Sequence, residues 1–164
     1  MLGSAMGPRL ENPPENTCFA CGPANDRGLR VEWTLERDEQ GEYIQALYTP
    51  NEHEIGWPGL LHTGLHYTLM FDASYWAALT FAGKLHAPAG PQTFEQLRLP
   101  RTGKAFRVTA RLASLAPVTT RSETFTHDGR PAASLLATWR PQTRSSIERA
   151  GLKFPTYILE HMDP

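Results

Sequence analysis

The stretch GLLHTGLHYTLMFDASYWAAL, Gly59–Leu79, decides the fold. Its apolar residues occupy most faces of a helix over about residues 63–81, and Gly83 is suited to end that helix. A helix that is apolar nearly all round lies buried at the centre of a protein. Asp72 lies in the middle of this helix, and a buried carboxylate is costly unless it has a partner or a catalytic role.

The sequence on either side of this helix has the patterns of strands. Residues 29–36 alternate between apolar and polar types, and residues 43–49 form a second strand after a turn, which indicates a hairpin. The Pro and Gly content of residues 50–59 and 87–91 indicates loops. Four further strands are predicted, with a hairpin turn at Asp128–Gly129 between the last two; they cover 93–99, 105–115, 119–127 and 132–140.

The order of elements is β-β-α-β-β-β-β, and strands that follow one another in hairpins form antiparallel sheets. We therefore predict an α+β fold in which one long central helix is wrapped by a curved antiparallel sheet of about five to six strands. The length of 164 residues favours one domain. We assign it to residues 17–141, with an irregular segment at 1–16 and a C-terminal extension at 142–164, which includes a short helix near 145–150.

The composition excludes several classes of function. The 16 Lys and Arg residues nearly balance the 17 Asp and Glu residues, and there is no basic block, so we expect no nucleic-acid partner. No apolar stretch has the length of a membrane span, so we expect no membrane partner either. The N-terminal residues lack the apolar region of a signal peptide, which favours a cytoplasmic location.

The chain has only two cysteines, Cys18 and Cys21, in the segment CFACG. A C-x-x-C pair can be half of a zinc site or a redox pair. A tetrahedral zinc site needs four ligands, and the chain has no second cysteine pair. We therefore expect a turn with two small side chains packed under the sheet, and no metal or cofactor. Zinc shared with a partner chain or with a nearby histidine is the alternative.

Three blocks of the sequence resemble one family. They are CFACGPANDRGL at 18–29, TPNEHEIGWPGLLHTG at 49–64 and TLMFDASYWAA at 68–78, and they align without gaps. The chain resembles the hotdog-fold acyl-CoA thioesterases, especially the phenylacetate-degradation-type branch. The later strands match that family only in length and pattern. The order of elements agrees with the hotdog fold.

The resemblance implies a function as well as a fold. Family members form dimers, or dimers of dimers, with their helices side by side, and they bind acyl-CoA or a related thioester at the subunit interface. A backbone N–H at the start of the helix polarises the thioester carbonyl, and an acid from the helix activates water or attacks. Unpaired N–H groups at a helix start suit such a developing oxyanion.

The chain departs from the family at the positions that touch the scissile bond. The alignment places Phe71 where the family has its catalytic aspartate, and Asp72 where it has a neighbouring acid. Thr63 replaces the first glycine after the histidine, and Gly64 keeps the second. Ile55 replaces a residue that often carries an amide. Together these changes indicate changed or lost chemistry.

Several residues remain candidates for the site. The candidate catalytic residues are Asp72, Glu54, His62 and His66. The candidate oxyanion and substrate-binding residues are Thr63, Gly64, Leu65, Tyr67 and Phe71.

Each candidate catalytic residue also has a structural interpretation. Asp72 serves as a base only if the helix is rotated or slipped, and otherwise bonds Thr68 or the partner subunit. Glu54 is otherwise a solvated loop charge. His62 orients the loop, and His66 narrows the groove mouth or transfers protons. The two histidines have the i, i+4 spacing of a metal pair, but the sequence identifies no third ligand for them.

Two functions of different classes follow from these residues, and a third remains open. The first, which the resemblance implies, is a thioesterase-like protein that hydrolyses or binds a small or medium acyl-CoA at a dimer interface. Alternatively, the chain is a catalytically impaired module that binds acyl-CoA or another apolar ligand, or a structural dimer with a filled groove. Phe71 and Thr63 favour the impaired module and the structural dimer, whereas the kept turn, histidine and Gly64 favour hydrolysis.

Overall fold

One long helix lies against a large antiparallel sheet in the structure, a computed structural model that describes residues 7–160 and residue 162. The elements in chain order are β1 (Thr34–Asp38), β2 (Gly41–Tyr48), β3 (Ile55–Trp57), β4 (Leu60–Leu61), α1 (Thr63–Ala82), β5 (His86–Pro88), β6 (Thr93–Gln96), β7 (Phe106–Leu115), β8 (Val118–Phe125), β9 (Pro131–Pro141), α2 (Arg144–Arg149) and α3 (Thr156–Leu159). The predicted α+β class is confirmed.

The central helix α1 has 20 residues and ends as the sequence predicts. The backbone of Gly83 has a φ of 72°, a left-handed conformation that glycine adopts without strain, and its N–H donates to the carbonyl of Leu79 at 3.1 Å. Buried residues occur on several sides of the helix because different parts of the chain cover it. No described helix is both long and apolar enough to span a membrane.

Among the described residues the main sheet contains seven strands, more than the five to six expected. Its order is β1-β2-β7-β8-β9-β5, and β6 also pairs with β9. All the pairings are antiparallel. The seventh strand is β5, which overlaps a segment predicted as a loop and forms through its pairing with β9. The other predicted loop contains the short hairpin of β3 and β4.

The first strand begins later than predicted. Arg30 has a φ of 52°, which interrupts an extended run. Leu29 and Val31 instead donate their N–H groups to the carbonyls of Phe19 and Ala20, at 2.8 and 3.0 Å. The segment 29–33 is therefore joined to the turn that carries the two cysteines.

The core lies between α1 and the inner face of the sheet. Apolar side chains of β2, β7 and β9 are fully buried there, namely Ile44, Phe106, Val108, Ala110, Leu135 and Ala137. Cys21, Val31 and Trp33 of the N-terminal segment belong to the same core. The helix is thus covered by the sheet on one side and by this N-terminal segment on another.

The predicted C-terminal extension forms a small separate cluster. Leu85, Ile147 and Met162 are buried together there. The predicted short helix is α2, whose N-cap residue Thr143 accepts from the Ser146 N–H at 3.2 Å while the Ser146 hydroxyl accepts from the Thr143 N–H at 3.2 Å. Residues 7–16 form no regular helix or strand, whereas residues 1–6 of the predicted irregular segment lie outside the described residues. The domain boundaries at 17 and 141 remain predictions.

Candidate functional site at the start of the central helix

His62 shapes the start of α1. Its ring Nδ1 accepts a hydrogen bond from the Gly64 N–H at 2.9 Å, so the histidine caps the helix. A Cβ at Gly56 would lie 3.2 Å from the ring, and one at Gly64 would lie 3.0 Å from Nδ1. Glycine at both positions lets the two backbone segments pack closely on the ring. The Gly64 N–H, expected to polarise a thioester carbonyl, is therefore already bonded to His62.

Two other N–H groups point out of the helix start. In the part of the chain that the structure describes, the N–H groups of Thr63 and Leu65 have no hydrogen-bond acceptor. Thr63 is exposed and Leu65 is half-buried. The first N–H groups of a helix lack partners within the helix and attract an anion or a polarised carbonyl oxygen. These two groups are the free donors of the site.

Glu54 is the carboxylate that the structure places beside the helix start. Its backbone carbonyl accepts from the His62 N–H at 2.8 Å. Its carboxylate accepts from the Tyr48 hydroxyl at 2.7 Å and from the backbone and side chain of Asn51 at 3.1 and 2.7 Å. Burial, together with the charge of Glu54, raises the pKa of Tyr48, so the hydroxyl stays a donor. Glu54 is a half-buried, oriented carboxylate rather than a solvated loop charge.

Asp72 lies on a different side of the helix and faces the N-terminal segment. It is 7 % exposed. Its Oδ2 accepts from the indole N–H of Trp33 at 2.7 Å, and its Oδ1 lies 3.8 Å from the Cys18 sulfur and 3.5 Å from the Cys21 sulfur. Burial raises the pKa of Asp72 to about 7. Thr68, considered as its partner, donates instead to the Gly64 carbonyl at 2.9 Å.

The cysteine pair therefore packs against the helix and not under the sheet. The bond between Trp33 and Asp72 has no counterpart in the sequence pattern, in which Trp33 is one of the apolar residues of an alternating segment. Local sequence patterns cannot predict this bond, because 39 residues separate Trp33 and Asp72 in the chain.

His66 is fully buried between the helix and the sheet. Its Nε2 bonds the Thr124 hydroxyl at 2.8 Å, and its Nδ1 bonds the Gln96 side-chain nitrogen at 2.9 Å. Burial lowers the pKa of His66 to about 4. Both ring nitrogens are thus engaged inside the protein, which leaves neither for proton transfer at the helix start.

Aromatic rings occupy a third side of the helix. Tyr67 and Phe71 stack one turn apart with ring centroids 5.8 Å apart, and Phe71 also lies 5.2 Å from Trp139 of β9. Tyr67 makes an edge contact with Phe94 of β6 at 5.5 Å. Both helix residues are half-buried. An apolar surface therefore stands where the resemblance implies a carboxylate.

The chain shares its fold with solved structures of thioesterases. No protein-family model and no curated protein matches the sequence. A thioesterase superfamily protein matches with a TM-score of 0.65 and 22 % identity, covering 76 % of this chain and 60 % of that one. The chain therefore spans less than two thirds of that protein.

Two shorter proteins match over more of their own length. The PaaI protein from the phenylacetic acid degradation operon of E. coli matches with a TM-score of 0.58 and 14 % identity, covering 70 % of this chain and 80 % of that one. A hypothetical thioesterase from Streptococcus pneumoniae, solved with coenzyme A, matches with a TM-score of 0.57 and 12 % identity, over 67 % of this chain and 88 % of that one. At these identities the likeness shows the fold, and the predicted hotdog fold is confirmed.

Proposed function

We propose that this chain is a thioesterase-like protein that binds an acyl-CoA at the start of α1. The observation that carries the proposal is the pair of unpartnered N–H groups of Thr63 and Leu65 beside the ring of His62. The hairpin of β3 and β4 lies next to this point, and its Ile55 and Trp57 expose apolar surface to a ligand. The coenzyme A in the fold neighbour from Streptococcus pneumoniae supports the choice of ligand class.

The proposed site lies between two copies of the chain. Strand β6 pairs with β9 on one side, and no described strand pairs with its other side. Leu97 and Leu136 beside this edge are 55 % and 47 % exposed, and exposed apolar surface at a sheet edge is typical of a contact between subunits. A homodimer, alone or as a dimer of dimers, fits this edge, and a stable monomer in light scattering would contradict it. The location in the cytoplasm stays a prediction.

Binding is the part of the function that the geometry supports best. Asp72 is enclosed by Trp33 and the two cysteines, so its carboxylate is directed into its own subunit. Phe71, at the position of the expected acid, cannot take a proton. We therefore expect the protein to bind acyl-CoA. Any hydrolysis of the bound thioester should not depend on Asp72.

Hydrolysis with Glu54 as base is the second candidate function. Glu54 is connected to the helix start through the bond between its carbonyl and the His62 N–H, and three donors orient its carboxylate. A carboxylate held in this way can accept a proton from a water molecule next to a thioester. If Glu54 is the base, hydrolysis of acyl-CoA should disappear in Glu54→Gln and persist in Asp72→Asn.

The binding proposal is tested by removing one backbone donor. Thr63→Pro deletes the N–H at the first helical position, where proline is tolerated, and the preceding His62 has a ψ of 130° that suits a residue before proline. Thr63→Ala keeps the N–H and is the matched control. We expect Thr63→Pro to weaken binding of acyl-CoA roughly tenfold, the loss of one hydrogen bond, with Thr63→Ala close to the wild type.

The assay is calorimetric titration with acyl-CoAs of increasing chain length and one aromatic acyl-CoA, together with release of free thiol. Equal affinity of Thr63→Pro and Thr63→Ala for acyl-CoA would show that the helix start is not the binding site. If no acyl-CoA binds, the structural dimer with a filled groove is the remaining hypothesis. Loss of turnover in Asp72→Asn, with folding and binding intact, would return the catalytic role to Asp72.

A further inference from the structure

Three groups of metal-ligand type meet where the N-terminal segment crosses α1. The sulfurs of Cys18 and Cys21 and a carboxylate oxygen of Asp72 all lie within 4.8 Å of one another. The cysteines come from a turn and the aspartate from the middle of the helix, so only the folded chain brings them together. The acyl-CoA site proposed above does not use this cluster.

The distances fit the coordination of one ion. Two sulfurs at about 2.3 Å and one oxygen at about 2.1 Å from a tetrahedral zinc ion lie about 3.6 Å from each other across the S···O edges. The observed separations from Asp72 Oδ1 are 3.5 Å to Cys21 and 3.8 Å to Cys18. We propose that Cys18, Cys21 and Asp72 bind a zinc ion, with a water molecule as the fourth ligand.

Donors around the cluster hold these ligands in place. The second carboxylate oxygen of Asp72 accepts from the Trp33 indole at 2.7 Å, and the Cys21 sulfur accepts from the Trp76 indole at 3.4 Å. Such bonds to the outer side of metal ligands orient them and tune their affinity. A cavity of about 450 Å³ borders Cys21, Trp33 and Trp76, so there is space for solvent on the Cys21 side of the cluster.

The backbone of the cysteine turn serves the same purpose. The Gly22 N–H donates to the Cys18 carbonyl at 2.9 Å and closes the turn. A Cβ at Gly22 would lie 2.4 Å from the Cys18 nitrogen, so only glycine permits this tight turn. The turn therefore holds both sulfurs on the side of the helix before any ion arrives.

Charge distinguishes a metal ion from a disulfide at this place. Binding exchanges a divalent cation for the two thiol protons, which leave to solvent, and the bound cation remains next to the Asp72 carboxylate. Oxidation to a disulfide would instead remove both S–H groups from the vicinity of Asp72 and leave Trp33 as the donor that the structure shows for it. Removing the hydrogen-bond donors of a buried carboxylate destabilises the folded protein. Thiolate ligands favour zinc over magnesium or calcium.

The test uses the full chain, reduced with a phosphine and stripped of metal. Titration with Co²⁺, a spectroscopic substitute for zinc, is expected to produce thiolate-to-metal charge-transfer absorption that saturates at one ion per chain and is reversed by zinc. Cys21→Ser and Asp72→Asn should each weaken binding, and Trp33→Phe should weaken it roughly 10–100-fold without removing a ligand. His53→Ala, which removes an exposed histidine next to Glu52, is the matched control and should bind normally.

A second measurement on the wild type does not depend on the folding of any variant. Zinc should protect both thiols from alkylation and raise the unfolding temperature. Absence of charge-transfer absorption, or equal rates of alkylation with and without zinc, would overturn the proposal. Formation of the Cys18–Cys21 disulfide by oxidised glutathione in saturating zinc would also overturn it.

Discussion

Replacement of His66 by glutamine should remove one contribution to stability that the wild type loses in acid. Burial lowers the pKa of His66 to about 4 from its ordinary 6.5. The Gln96 side-chain nitrogen donates to the Arg98 carbonyl at 2.7 Å and faces Nδ1 of the ring, so a proton on Nδ1 would meet another donor. The neutral ring, with Nε2 donating to Thr124, is the form that fits.

The sign and size of the effect follow from the two pKa values. Between pH 6.5 and pH 4 the unfolded chain binds a proton at residue 66 and the folded protein does not, so stability falls as the pH falls. The separation corresponds to about 3 kcal/mol of unfolding free energy, present at pH 7 and lost on reaching pH 4. In a protein of this size the loss lowers the unfolding temperature by roughly 6–12 °C.

The measurement is urea unfolding of wild type and His66→Gln between pH 4 and pH 7.5. The quantity that decides is the difference between the two free energies, because Asp72, with a pKa raised to about 7, titrates in the same range with the opposite sign in both proteins. This difference should fall by about 3 kcal/mol from pH 7 to pH 4. His53→Gln, at an exposed position, is the control for the replacement of a histidine by glutamine. A constant difference for His66→Gln would refute the reasoning.

Three further predictions concern stability, each measured by denaturant unfolding at neutral pH. Leu69→Ala should cost about 2–5 kcal/mol, because Leu69 is fully buried in the core, and a loss below about 1 kcal/mol would contradict that packing. Gly83→Ala should cost about 1 kcal/mol from backbone strain alone, since a Cβ there meets no atom within 4 Å; unchanged stability would argue against the left-handed cap. Thr143→Ala should cost about 1 kcal/mol by removing the cap of α2, whereas Thr143→Ser should restore most of it, and equal loss in both would speak against the capping bond.

The fold could be predicted from the sequence because its strongest signals are local. The apolar stretch around Leu69 and the stop at Gly83 bound the helix, and the alternation around Val108 identifies a strand. Strand β5 could not be predicted, because three residues that include Pro88 carry no periodicity and become a strand through their pairing with β9. The later start of β1 depends on the conformation of Arg30, for which the sequence has no signal.

The candidate site could be predicted only in part, because only some of its contacts join residues that are neighbours in the sequence. The helix start and its histidine follow from neighbouring residues, and one step of about 100° along a helix already separates Phe71 from Asp72. The partners of Asp72 lie 39 to 54 residues away, and no periodicity connects them. The bond between His62 and the Gly64 N–H depends on a ring orientation that composition does not specify.

The position of α1 between two distant parts of the chain also sets how the protein folds. Asp72 meets Cys21 across 51 residues, whereas His66 meets Thr124 across 58 residues in the other direction. The hydrogen bonds of the helix are local, but its burial requires the closure of two long loops, an entropic cost that slows folding compared with a helical bundle of equal length. Removal of either flank would therefore expose an apolar side of the helix rather than leave a smaller stable domain.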